Sequence, residues 1–224
     1  MFKTVLLYTN ELESLKRFYR NILELDIPES SNGQFTVKVG ESVIRFIQSH
    51  HPAFYHFAIN IPGNQFSMMK YWLQDRVELN REEGRDEIYF SKFDADSMYF
   101  EDPTGNVVEF IGRRHRDLFG DLSPSSFLSV SEVGITTPFV AEVSEQLQDF
   151  GIALRSGTEV NPESVDFLGG EDTFIVLVRP NRRWYFSKKY SEIHPLEITL
   201  NNGSHIVLDD KGNIRLSRRL KGNS

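Results

Sequence analysis

The side chains best placed to do chemistry are His56, within Phe54-Tyr55-His56-Phe57-Ala58-Ile59-Asn60-Ile61, and Glu109, within Asn106-Val107-Val108-Glu109-Phe110-Ile111. An imidazole or a carboxylate set in such an apolar run is costly to bury alone. Each calls for a cation, a hydrogen-bond partner, or the other. Together they form a nitrogen and oxygen donor pair that suits Fe, Mn, Ni, Zn or Mg as divalent ions, with little discrimination among them. Three readings of the pair stand open: two ligands of a metal, an acid–base couple that works without one, or a core histidine hydrogen-bonded to Glu109. Beside a carboxylate, His56 is expected to stay charged more readily than a free imidazole.

Strands must position both groups. Side chains alternate along a strand, so His56, Ala58 and Asn60 share one face and Tyr55, Phe57, Ile59 and Ile61 the other, which suits packing beneath a helix. Glu109 shares its face with Val107 and Ile111. Asp102-Pro103-Thr104-Gly105 has Pro second and Gly fourth, the pattern of a type I turn, and joins the runs Ser97–Glu101 and Asn106–Ile111. His56 and Glu109 are therefore expected on one concave sheet face.

The order of elements repeats. A strand near Lys3–Tyr8 leads to a helix over 11–23, with Asn10 and Glu13 as an Asx form of capping box, and then to a hairpin of Gln34–Val39 and Ser42–Gln48. A strand at 54–61 leads to a helical stripe of Phe66, Met69, Trp72 or Leu73, and Val77, then to strands at 88–93, 97–101 and 106–112. Each unit is βαβββ, and such repetition is informative because one open unit cannot bury both its faces. Arg113–Ser126 is polar and reads as a linker. A third unit follows: a strand over Leu128–Thr136, a Thr137-Pro138 helix start, a stripe of Val140, Val143, Leu147 and Phe150 ended by Gly151, and strands at Ser164–Leu168, Thr173–Arg179, Trp184–Phe186, Pro195–Leu200, Ser204–Asp209 and Ile214–Ser217. The tail Arg218–Ser224 is basic and expected to fray.

The segment 54–112, a strand with His, a helix, strands, an Asp-Pro-x-Gly turn and a strand with Glu, resembles the vicinal oxygen chelate superfamily, which includes glyoxalase I, extradiol dioxygenases and the fosfomycin- and bleomycin-resistance proteins. Thr9-Asn10-Glu11-Leu12-Glu13-Ser14-Leu15-Lys16-Arg17-Phe18-Tyr19 is similar to that group's first strand-to-helix passage, so the resemblance extends more loosely over 2–48 and takes in about half the chain. It implies an α+β fold of repeated βαβββ units forming cupped mixed sheets with helices on the outer face. On that reading 1–113 is a paired domain, 114–126 a linker, and 127–224 a third unit with extra C-terminal strands. The implied function is a small-molecule protein of the glyoxalase, bleomycin-resistance and dioxygenase type: a divalent-metal-dependent lyase, isomerase or dioxygenase, or alternatively a metal-free binding protein that sequesters its ligand. His56 and Glu109 match the metal ligands, with Glu109 also the catalytic base. Metal-using members take a further ligand from the first strand of the partner unit. The matching position here is Thr4, with Lys3 beside it, and neither is a good donor. A metal is therefore expected to bind weakly, with water, substrate or a second chain completing its shell.

Other groups have plainer readings. His50-His51 sit before Pro52 in an expected exposed turn. Arg45 reads as a solvent-facing strand residue, or as a cation for an anionic substrate. Glu132 falls in the third unit where His56 falls in the second, and Glu197 loosely parallels Glu109; both read as ordinary strand carboxylates or as partners of Arg179, Arg182 and Arg183. Trp184 and Tyr185 beside that Arg pair read as an edge patch.

The formal net charge of −7 argues against nonspecific nucleic-acid binding and against attraction to anionic membranes. The chain has no cysteine, which removes disulfides, thiolate metal sites and a cysteine nucleophile. The opening residues lack the apolar run of a signal peptide and nothing approaches a membrane span, so a cytoplasmic location is expected. Small-molecule ligands are the expected partners. A homodimer is also expected, because the third unit would otherwise leave a sheet edge open.

Overall fold

The computed structural model describes residues 1–123, 126–157, 159–161 and 163–218. Pro124 and Ser125 of the expected linker and residues 219–224 of the expected tail lie outside them.

The apolar alternation does produce the strands, and the units appear in order. The first holds β1 (Phe2–Thr9), α1 (Leu12–Arg17), β2 (Ser30–Ser31), β3 (Gln34–Val39) and β4 (Ser42–Gln48). The second holds β5 (His56–Pro62), α2 (Phe66–Gln74), β6 (Ile88–Phe90), β7 (Ala95–Glu101) and β8 (Val107–Arg113). The third holds β9 (Ser129–Thr136), α3 (Val140–Asp149), β10 (Asp166–Gly170) and β11 (Thr173–Val178), and the chain closes with β12 (Leu196–Leu200), β13 (His205–Leu208) and β14 (Ile214–Ser217). The helix expected over 11–23 is α1 continued by a π-helical turn over Phe18–Ile22. Its start is held by Thr9 Oγ1, which accepts from the Glu11 amide at 3.1 Å, rather than by an Asn10 capping box.

The strands form two seven-stranded mixed sheets, β14-β13-β12-β1-β4-β3-β2 and β10-β11-β9-β5-β8-β7-β6. The second unit thus pairs edge to edge with the third through antiparallel β5 and β9, not with the first, and β1 takes β12 as its antiparallel partner. The β9 edge of the third unit is thus met inside the chain by β5, and β10 lies at the outer end of that sheet. The residues facing away from the cups, among them Val5, Leu7, Phe46, Phe57, Ile59, Phe110 and Val133, share one core with Leu15, Tyr19, Met69, Leu73, Val143 and Leu147 of the helical segments. Each such side chain is worth roughly 1.5–3 kcal/mol when fully buried, so this shared core, rather than the cups, carries the fold's stability. No helix among the described residues is long and apolar enough to cross a membrane.

Candidate functional site

The turn read from the sequence sets the register of the site. Gly105 closes it in the left-handed region at φ 79°, with its amide bonded to Asp102 O at 2.8 Å. Asp102 is buried and takes up the turn's loose donors: its Oδ1 accepts from the Thr104 and Asn106 amides at 3.1 and 3.0 Å, and its Oδ2 from Tyr19 Oη and Asn106 Nδ2 at 2.8 and 2.7 Å. Asn106 Oδ1 in turn accepts from the Tyr55 amide at 2.8 Å. This clamps the start of β5 beside β8 and puts His56 opposite Val107 and Ala58 opposite Glu109.

On the other side of Ala58 the register places Glu132 of β9. One small residue is thus flanked by two carboxylates, with His56 one position along the same face. His56 Nε2 lies 3.7 Å from Glu109 Oε2, and donor atoms of His56, Glu109 and Glu132 all fall within 4.8 Å of one another. All three residues are buried. Glu132, read from the sequence as an ordinary strand carboxylate, is the third member of the cluster. Its signal was its place at the head of the third unit, and what hid it was the expectation that units one and two pair.

The imidazole is oriented for donation. Its Nδ1 is 3.0 Å from Val107 O, which fixes the proton on Nδ1 and leaves the Nε2 lone pair facing the carboxylates. At 3.7 Å the Nε2–Glu109 separation is too long for a hydrogen bond. The expectation that His56 stays charged is reversed: burial is the main cause holding its pKa down to about 4, the Arg182 charge adds to this, and the Val107 hydrogen bond opposes it. Burial likewise pushes both carboxyls up from the usual range. Glu109 is drawn back by the neighbouring hydroxyls of Ser97 and Tyr99 and by Arg113, whereas Glu132 is raised further by Glu109 before Arg113 draws it back.

Arg113, grouped with the polar linker in the sequence, is instead the buried last residue of β8. Its Nη2 donates to Ser131 Oγ at 2.9 Å and lies 3.6 Å from Glu132 Oε1, and its Nε pairs with Asp172 Oδ1 at 3.3 Å.

The cup above the cluster has a volume of about 470 Å³. A strand is expected over 184–186, but the chain turns back on itself there, with Phe186 at φ 54° and the Trp184 amide donating to Lys189 O at 2.9 Å. The turn drops Trp184 onto His56, ring centroids 4.8 Å apart, and stacks Phe186 on Tyr99 at 5.0 Å. Room for the indole comes from Gly134, where an added Cβ would sit 2.9 Å from Trp184 Cη2. A Gly134→Val substitution should therefore push Trp184 out of the cup. In a Trp72→Phe background, which leaves one tryptophan, the emission should shift to the red; an unchanged spectrum would show that Trp184 does not sit on Gly134.

The first sheet carries a second cup of different chemistry. There Leu6 is flanked by Arg45 and Glu197 as Ala58 is by Glu109 and Glu132, and Thr4 lies where His56 lies. Thr4 thus stands in another sheet and does not reach His56. Glu197 instead meets His205 Nε2 at 3.1 Å and the Tyr8 hydroxyl at 3.5 Å, and Arg45, half-exposed, pairs with Glu29 at 3.3 Å. His50 and His51 are exposed, as expected.

Residues 130–182, which include Glu132, match a family profile described as toxoflavin-degrading enzyme. Among curated proteins none matches the chain. Of the solved structures, a glyoxalase I variant from Zea mays superposes with a TM-score of 0.57 at 12% identity, over 95% of this chain and 90% of that one. A protein described as a candidate dioxygenase from Bacillus subtilis superposes with a TM-score of 0.56 at 13% identity, over 79% of this chain and 62% of that one.

Proposed function

We propose, from the premise that this chain has the vicinal oxygen chelate fold, that it is an enzyme holding a divalent metal on His56, Glu109 and Glu132 and acting on a small organic molecule in the cup of the second sheet. The observation that carries this is the donor set. Two buried carboxylates and an imidazole nitrogen converge within 4.8 Å, while burial makes the carboxylates' charge expensive without a cation. One nitrogen and two carboxylates suit Fe(II), Mn(II) or Mg(II) better than softer sites do. When bound, such an ion would supply Lewis acidity to oxygens of the substrate and stabilise charge that develops on them.

The chain's own groups do the rest. Val107 O holds the imidazole in one tautomer, and Arg113 faces Glu132 from behind. The hydroxyls of Ser97 and Tyr99 beside Glu109 favour its charged form as it takes or returns a proton. Trp184, Phe186 and Tyr99 set an apolar wall beside the cluster. The likeness of 130–182 to a toxoflavin-degrading enzyme supports catalysis over sequestration.

Calorimetric titration of chelator-stripped protein with Mn(II) tests the reading. One ion per chain, with Kd in the micromolar range or tighter, is expected, and Thr4→Val should leave it unchanged. Absence of binding, or its loss on Thr4→Val, would overturn the ligand set.

A further inference from the structure

Two neighbouring arginines beside the cup differ in what they meet. Arg183 is satisfied: its Nη2 and Nη1 reach Glu82 Oε1 and Oε2 at 2.6 and 2.9 Å. Arg182 lines the cup, is half-buried, and among the described residues forms no ion pair with a carboxylate. Among the described residues its side chain donates one hydrogen bond, from Nη1 to Arg183 O at 3.1 Å. Burial and the Arg183 charge both press against its protonated state. A guanidinium cannot shed its proton at neutral pH, so this cation stands partly desolvated, beside a like charge, in the lining of the cavity. That is a poor arrangement in the free protein and a good one once an anion arrives.

Much of the rest of the wall is aromatic, and Lys92 brings a second cation to its rim beside Ser91, Ile111, Val165 and Val176. Phe93 and Phe167 meet edge to face at 4.9 Å, and Phe90 and Tyr185 lie 6.1 Å apart. With Trp184 over His56 these rings give the cup an aromatic wall suited to a flat, ring-bearing ligand.

We infer that the cup takes a planar aromatic acid, its ring against the aromatic wall and its anionic group on Arg182. This rests on reading the cup as the ligand site. Arg182 is then a specificity residue: it selects acids over neutral molecules of the same shape, whatever is done at the cluster.

The test compares salicylate with salicylamide, which share ring and hydroxyl and differ in charge, by calorimetry on the metal-free full chain. Salicylate should bind about tenfold or more tightly than salicylamide, as one charge-assisted contact allows. In Arg182→Gln that ratio should fall to near one, and Arg182→Lys, which keeps charge without the fork, should retain part of it. A ratio near one in the wild type, no binding of either compound, or a preference that survives Arg182→Gln would each overturn the inference. Mn(II) titration of the same preparations separates the two readings. Preference for salicylate without Mn(II) binding would overturn only the metal site, and Mn(II) binding without preference would overturn only this.

Discussion

Glu132→Gln should lower Mn(II) affinity by at least about 100-fold, the upper end of what disturbing a ligand's outer partners alone costs, and should leave the metal-free protein more stable than wild type. Both effects have one origin. Glu132 and Glu109 face one another across Ala58 in a buried site, and each carboxyl is held above its ordinary pKa mainly by that burial. A group whose folded pKa is raised lends stability at low pH, and loses it as pH rises through the folded value. His56 works in the opposite sense. Its pKa is lowered to about 4, so its contribution is present above the ordinary imidazole value and is lost as pH falls toward 4. The metal-free protein should therefore be most stable in mildly acidic solution and weaken toward alkaline pH. Relieving one pKa unit of carboxyl shift is worth about 1.4 kcal/mol, or about 3–6 °C in Tm for a chain of this size. Bound metal displaces the carboxyl protons, so Mn(II) affinity should climb with pH by up to about tenfold per unit for each proton released. Thermal melts across pH, with and without Mn(II), measure all of this. A Glu132→Gln protein that binds Mn(II) like wild type, or whose alkaline instability is unrelieved, would remove Glu132 from the site.

Arg113→Met should be the most damaging single change near the cup, costing about 3–5 kcal/mol, the usual penalty for breaking a buried ion pair from one side. Arg113 sits between Glu132 at 3.6 Å and Asp172 at 3.3 Å, with its guanidinium 5.5 Å from the ring centres of Phe93 and Phe174. Asp172 keeps His115 at 3.0 Å and Arg116 at 3.2 Å nearer the surface, so it would be partly compensated. Among the described residues Glu132 would keep no ion-pair partner. The loss should consequently shrink at low pH, where Glu132 is protonated in any case, and should shrink on adding Mn(II), which replaces the missing charge. Arg113→Lys should restore part of the stability, since it returns the charge but not the fork that reaches Ser131, Glu132 and Asp172 together. Denaturant melts of the two variants at acidic and alkaline pH are the measurement. An Arg113→Met protein as stable as wild type at alkaline pH would mean that the pair contributes nothing net.

What lay within the sequence was whatever local periodicity and turn chemistry control. The alternation in 54–61 places His56 on one face and Phe57, Ile59 and Ile61 in the core, and the Asp-Pro-x-Gly pattern makes the turn that locks β5 against β8. With those two facts the His56–Glu109 approach was already determined, because their strands belong to one unit and need no other. What the tertiary structure decided was which unit meets which. Every βαβββ unit offers a first strand with a free edge, and nothing in its own alternation says whether β1 or β9 will lie along β5. That choice depends on the summed packing of both sheets and the helical segments in the shared core. It replaces Thr4 with Glu132 as the neighbour of His56, and so turns an incomplete donor pair into a three-residue cluster. The same holds for the run through Trp184. Its aromatic residues would suit a strand, but the backbone turns back so that Trp184 pairs with Lys189 of the same segment, and the indole seats itself against Gly134, where another strand's missing side chain leaves the room.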